Sequence, residues 1–377
     1  MTFSVFFEEI QNQFAQNLPL VAYKMGQEAP IKAFLQENDR LYKTSSFEES
    51  GFVLAPFNLE QGSILIPSMH AKMLTTSAVN PDLSRDANIA LKNTLENPSA
   101  REKEAHIELI KKGITAIQNK EFTKVVLSRQ ELQTVNKNSA LDIFTWLLQS
   151  YPSAFVYIWF HPKVGLWLGA TPETLLQIEN KTFKTMSLAG TQTYKNTNSI
   201  TWGAKELDEQ NIVTKFITAQ LAPYLTNLTV SDTETIRAGN LLHLKTLITG
   251  ELSNMQTNLK NIIAALHPTP AVCGLPKEAA KTFINSQENY DREFYTGFLG
   301  ELHVKKIQSR NTNRRNVENN AYAHIKTVSN LFVNLRCMQI KDKTALIYVG
   351  GGITQDSNPD KEWEETVAKS ATMKKVL

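Results

Sequence analysis

The chain is predicted to adopt an α+β fold rather than a doubly wound α/β fold, and three observations lead there. Runs of β-rich apolar segments dominate the chain, helical-period segments fall between them, and the turns joining strands are too short for regular βαβ crossovers. Of its 377 residues, 42% are hydrophobic and 20% charged, a balance that supplies a large core and excludes disorder as the default.

In chain order, Phe3 to Leu18 has the pattern of an amphipathic helix, and Gly51-Phe-Val-Leu-Ala and Ser63-Ile-Leu-Ile-Pro read as short strands. Pro98 to Asn119 turns helical, with Ile107, Ile110 and Ile114 at spacings of three and four. Strands follow at Thr123-Lys-Val-Val-Leu-Ser-Arg, Ala154-Phe-Val-Tyr-Ile-Trp-Phe, Leu166-Trp-Leu and Thr182 to Leu188. Ala204 to Leu221 places Ile212, Val213, Phe216, Ile217 and Leu221 on one helical stripe. Val328 to Ile340 and Ala345 to Val349 read as further strands. Trp363 to Met373 reads as a last helix, opened by Ser357-Asn-Pro, where Ser or Asn can cap and Pro suits the first turn.

The 40 basic and 37 acidic side chains leave a formal charge of only +3, which predicts neither a nucleic-acid nor a membrane partner. Cys273 and Cys337 form no C-x-x-C pair and no disulfide framework, as suits a reducing compartment. The N-terminus lacks the cationic start of a signal peptide, and no apolar run approaches the ~20 residues of a membrane helix. These features predict a soluble, cytoplasmic protein. Lys305 to His324 is rich in Asn and carries Arg310, Arg314 and Arg315. Without the interleaved aromatics of single-strand binders, it reads as a solvated insertion in a hairpin rather than a nucleic-acid arm.

Several familiar site patterns are missing from the sequence, among them H-E-x-x-H, G-x-x-x-x-G-K-[ST] and G-x-S-x-G. Gly350-Gly-Gly352 follows a strand, but the G-x-G-x-x-G pattern fails at Gln355. Lys124 lies between apolar neighbours in a strand. Such a lysine is commonly an edge residue that blocks aggregation; the functional alternative is a desolvated amine able to act as a base. Glu173 sits in a tight turn, Gly169-Ala-Thr-Pro-Glu, at the end of two apolar runs, where sites are often built. Glu209 precedes Ile212 and Val213 by three and four residues, so it points towards the buried face and needs a partner. Glu365 stands one turn before Lys369, either as an ordinary ion pair or, with Glu209, as one of two carboxylates holding Mg²⁺. Arg336 falls in an apparently buried strand and requires an anionic partner. His243 and His267 read as core histidines.

Taken in order, these segments resemble the chorismate-utilising enzymes, the family of isochorismate synthases, salicylate synthases and the large subunits of anthranilate and aminodeoxychorismate synthases. The resemblance rests on Lys124-Val-Val-Leu-Ser-Arg129, Gly169-Ala-Thr-Pro-Glu-Thr-Leu-Leu176, Ser187-Leu-Ala-Gly-Thr191 and Ala204-Lys-Glu-Leu-Asp-Glu-Gln-Asn-Ile-Val213. It continues through His243-Leu, His267-Pro-Thr-Pro-Ala-Val-Cys-Gly-Leu-Pro276, Tyr290-Asp-Arg-Glu-Phe-Tyr-Thr-Gly297, Leu335-Arg-Cys337, Gly350-Gly-Gly-Ile353 and Glu362-Trp-Glu-Glu-Thr366 with Lys369. Residues 101–377 carry these motifs as a catalytic region, while residues 1–100 are read as a weakly matched part of the same domain.

The resemblance implies two packed antiparallel β-sheets flanked by helices, with the active site in the cleft. It casts Lys124 as the base that deprotonates water attacking ring carbon 2, and Glu173 as the acid that protonates the hydroxyl leaving carbon 4. These roles need the lysine pKa lowered from ~10.4 and the glutamate pKa raised from ~4.3. Glu209 and Glu365 match the ligands of Mg²⁺, the implied cofactor. Arg336 and Lys369 match contacts to substrate carboxylates, and Gly190, Thr191, Gly350 and Gly352 match backbone positions lining the pocket. His243 and Tyr295 match further pocket positions.

Lysine at position 124 is similar to the water-adding members, so isochorismate is the expected product and no glutaminase subunit is expected. Salicylate synthases, which go on to eliminate pyruvate, are the alternative; they usually carry threonine near Ala271, whereas His267-Pro-Thr-Pro-Ala resembles the synthases that stop at isochorismate. Isochorismate would feed menaquinone or siderophore biosynthesis, and a monomer is the expected state. Departures from the family pattern are Gly350-Gly-Gly for the commoner Gly-Ala-Gly, Gln192 where many relatives have Arg, and the long insertion.

Overall fold

The computed structural model describes residues 1–77, 98–135, 139–194, 200–238, 241–253, 258–308 and 324–377. Among them, the strands form two large antiparallel sheets, one of nine strands and one of ten, with seven helices packed around them. The α+β architecture and the paired antiparallel sheets are therefore as expected.

The nine-strand sheet runs from Gly274–Leu275 through Lys124–Thr134, Thr344–Ile353, Cys337–Lys341, Gly165–Thr171, Phe155–His161 and Leu20–Met25 to Ile31–Gln36 and Ala71–Thr76. The ten-strand sheet takes Tyr42–Thr44, Gly51–Ala55 and Ser63–Pro67 from the N-terminal part. It is completed by strands drawn from residues 174–333. Strands between residues 20 and 76 thus extend both sheets.

An aromatic layer fills the space between the sheets. Tyr23, Phe52, Trp159 and Trp167 are fully buried in it, and Phe155 stacks on Phe332 at 4.2 Å between ring centres. Each such side chain contributes ~1.5–3 kcal/mol by leaving water. Outside the nine-strand sheet, the helices Phe3–Ala15 and Ala140–Ser150 cover a second core through Phe6, Ile10, Phe144 and Leu147. Outside the ten-strand sheet, the helices Ala204–Leu221 and Leu259–Leu266 cover a third through Val213, Ile217, Ile262 and Ile263.

Local chemistry sets the element ends. The helix Ala100–Gln118 starts in a capping box between Ser99 and Glu102. The final helix, Pro359–Lys374, is capped by Asn358 with Pro at its first position. The first helix stops at Ala15, short of Leu18, because Asn17 takes the left-handed conformation with φ of 54°.

One expected element is corrected. Val328 to Ile340 is two strands rather than one: His324–Val333 belongs to the ten-strand sheet and Cys337–Lys341 to the nine-strand sheet. The chain crosses between sheets at Asn334–Arg336. Fully buried Asn334 anchors the crossing by accepting from the Tyr157 hydroxyl at 2.7 Å and donating to the Phe294 carbonyl at 2.9 Å. Both halves are apolar because both face cores, so the pattern hid the break.

The insertion expected at Lys305 to His324 lies mostly outside the described residues. Its described flanks, Phe298–Gln308 and His324–Val333, pair as an antiparallel hairpin with Gln308 opposite His324. Among the described residues no helix is long and apolar enough to cross a membrane.

Candidate active site

A cavity lies between the two sheets and is closed on one side by the helices Ala204–Leu221 and Pro359–Lys374. Eleven of the twelve site residues expected from the sequence line it; Lys124 does not, and meets its wall through an ion pair to Glu209. Lys124 is no free-edge residue. Its strand pairs with Thr344–Ile353 on one side, Leu275 faces it on the other, and the residue is 0% exposed. Its ammonium donates to Glu209 Oε1 at 2.7 Å. Burial alone would raise the Glu209 pKa, but Lys124 outweighs it, with help from Lys369 and Lys205, and holds the carboxylate below its ordinary range.

Glu173 occupies the turn between the strands Gly165–Thr171 and Thr174–Glu179, as expected. It is only 4% exposed. Burial pushes its pKa up to about 8, against the opposing pull of Lys124 and Arg336. A carboxyl kept protonated near neutral pH is a ready proton donor.

Arg336 is reached through the sheet crossing rather than from within a strand. Its backbone adopts φ of 48°, in the left-handed region. Its guanidinium donates to Thr372 Oγ1 at 3.3 Å and lies 3.3 Å from His243 Nε2. His243 Nδ1 lies 3.0 Å from the Gly190 carbonyl, which can only accept, so Nδ1 carries the hydrogen and Nε2 is left to accept from Arg336. Burial, reinforced by Arg336 and Lys369, pushes the His243 pKa down to about 3, so the ring is neutral.

The glycines have steric reasons. Gly190 has φ of 67° at the point where the strand register shifts between Ala189 and Thr191. A Cβ at Gly350 would stand 3.0 Å from the Tyr295 hydroxyl, and one at Gly352 would stand 2.7 Å from Glu209 Oε1 and 3.1 Å from Lys124 Cε.

Two helix faces supply the charged rim. Lys369 pairs with Glu365 at 2.6 Å and also donates to the Gly350 carbonyl at 2.9 Å. Lys205 pairs with Glu362 at 2.5 Å. Burial pushes the Glu362 pKa up, countered by Lys205 and reinforced by Glu365. Lys205, Glu206 and Glu362 were missed in the sequence, although a signal existed: Lys205 lies four residues before Glu209, and Glu362 three before Glu365, each pair on one helix face. His267 stays outside the cavity. Its Nε2 lies 3.1 Å from the Phe57 carbonyl, the core role read for it.

Glu209 and Glu365 suit a hard cation chemically. Both present carboxylate oxygens to one cavity, from two helices. Among the described residues no group of three His, Cys, Asp or Glu side chains forms a cage, so such an ion would rely on two carboxylates, water and substrate, as Mg²⁺ commonly does.

Known proteins resemble this chain. The profile of the chorismate binding enzymes matches residues 49–307, and a second chorismate binding enzyme profile matches residues 322–375. Isochorismate synthase DhbC of Bacillus subtilis is 27% identical over 71% of this chain, which spans about two thirds, 66%, of that relative's length. The vibriobactin-specific isochorismate synthase of Vibrio cholerae is 25% identical, covering 94% of this chain and 86% of the relative. Among solved structures, the menaquinone-specific isochorismate synthase MenF of Escherichia coli superimposes with a TM-score of 0.74 at 20% identity. That match covers 96% of this chain and 89% of the other, and at such identity it bears on the fold.

Proposed function

The chain belongs to the chorismate-binding enzymes, and from that premise we propose that it converts chorismate to isochorismate with Mg²⁺ as cofactor. The observation that carries the proposal is a cavity-lining carboxyl, Glu173, whose pKa is raised to about 8, together with a lysine sealed from solvent behind Glu209 on the wall of the same cavity. Neutral Lys124 would take a proton from water as its oxygen bonds to ring carbon 2. The ring double bonds shift, the carbon 4–oxygen bond breaks, and Glu173 gives its proton to the departing hydroxyl, which leaves as water. The hydrogen bond to Glu209 at 2.7 Å fixes the position of the Lys124 amine beside the cavity wall.

Arg336, oriented by His243 and Thr372, and Lys369, oriented by Glu365 and Gly350, offer the positive charges that a dianionic substrate needs. Glu209 and Glu365 would hold the cofactor, whose chemistry is to neutralise a substrate carboxylate and orient it. Ala271 lines the cavity with only a methyl group, which supports a reaction that stops at isochorismate without eliminating pyruvate. The named relatives divide between siderophore and menaquinone synthesis, and isochorismate is the product common to both. Product analysis after incubation with chorismate and Mg²⁺, without ammonia, tests the proposal.

A further inference from the structure

The geometry points to Arg292 as a positioning residue that sets the spacing of three cavity walls without reaching the substrate. Arg292 is 2% exposed and does not line the cavity. Its five N–H donors are all used. Nε donates to Glu288 Oε2 at 2.7 Å, and Nη2 donates to Glu288 Oε1 at 2.6 Å and to the Val126 carbonyl at 2.7 Å. Nη1 donates to the Val272 carbonyl at 3.0 Å and to Thr296 Oγ1 at 3.3 Å.

Three of these four partners, Val126, Val272 and Thr296, line the cavity. Val126 stands two residues beyond Lys124 on the same strand, and Val272 follows Ala271. Thr296 follows Tyr295. One planar guanidinium therefore ties the wall beside the base to the wall at Ala271 and to the tyrosine turn. Glu288 widens the clamp, because its Oε1 also accepts from the Ser128 backbone at 2.7 Å and hydroxyl at 2.8 Å, and Ser128 pairs with Gly350. A buried ion pair of this kind need not add stability over apolar packing, so its five directed hydrogen bonds are better read as fixing geometry.

The inference rests on the cavity being the chorismate site, and it makes a claim that a purely structural role does not. Lysine at 292 keeps the charge but offers donors from one point, so it cannot bridge Val126, Val272 and Glu288 together. The test uses the full chain with Mg²⁺, reads chorismate consumption, and compares wild type, Arg292→Lys, Glu288→Gln and the remote core variant Leu147→Ala, each assayed well below its melting temperature. We expect Arg292→Lys to raise KM for chorismate by about tenfold or more, since small misplacements of walls cost substrate alignment. Glu288→Gln should raise KM in the same direction and serves in its place if Arg292→Lys does not fold. Leu147→Ala should lower the melting temperature and leave KM unchanged. A folded Arg292→Lys or Glu288→Gln with the wild-type KM would overturn the inference, as would Leu147→Ala raising KM equally. Because chorismate loss is read, a wild type that makes a different product contradicts the proposed reaction and leaves this comparison intact.

Discussion

Lys124 and Glu209 meet at 2.7 Å at the wall of the cavity, the lysine fully buried and the carboxylate 16% exposed. Neither can be removed without leaving its partner as an uncompensated charge in a largely dry site. The pair also joins the two functions proposed for the site, since one member is the base and the other a cofactor ligand.

Removing either proton-transfer group should abolish turnover. Lys124→Ala and Glu173→Gln are each expected to lower kcat by ~100-fold or more, the ordinary scale of general acid–base catalysis, with circular dichroism unchanged. Substantial turnover in either variant would contradict the assigned roles.

Glu173 should cost stability in return. Its carboxyl ionises near 4.5 when unfolded but at about 8 when folded. Above pH 4.5 the unfolded chain gains by losing a proton the folded protein keeps, so stability falls as pH rises towards 8. The cost at pH 7 is of order 3 kcal/mol. Glu173→Gln, which cannot ionise, should therefore melt higher than wild type at pH 7–8 and about equally near pH 4.5. A melting difference independent of pH would contradict the burial argument. In the same pH range, wild-type kcat should decline above about pH 8 as the acid form disappears.

Cofactor affinity gives a separate check on the two carboxylates. Glu209→Ala and Glu365→Ala should each weaken Mg²⁺ binding by about tenfold or more, measured by calorimetry in the presence of substrate. Unchanged affinity would remove both from the ligand set.

Gly352→Ala should damage the site with little effect on the fold. Its new Cβ would press on Glu209 Oε1 at 2.7 Å and Lys124 Cε at 3.1 Å, so the pair must part. Turnover should drop by about tenfold or more while the melting temperature moves by a few degrees. Wild-type turnover would show that the pair tolerates displacement.

Much of this arrangement was legible in the sequence because the signals were local. The stripe from Ile212 to Leu221 predicted the helix that carries Glu209, and Asn358-Pro359 predicted the start of the helix that carries Glu365. The paired sheets and the shared cavity followed only from the resemblance, since no spacing rule brings Lys124 to Glu209 across 85 positions. What escaped was non-local. Arg336 read as a strand residue because apolar neighbours on both sides face different cores, which hid the crossing at Asn334. Lys205 and Glu362 escaped because each, judged alone, resembles an exposed helix charge; only their pairing, which buries Glu362 behind the cavity-lining Lys205, separates them from solvated neighbours.

The most direct measurement is to incubate the purified protein with chorismate and Mg²⁺, without any ammonia source, and separate the products by chromatography. Isochorismate approaching equilibrium with chorismate, without salicylate, is the predicted result. Salicylate with pyruvate, or no product until ammonia is supplied, would contradict it.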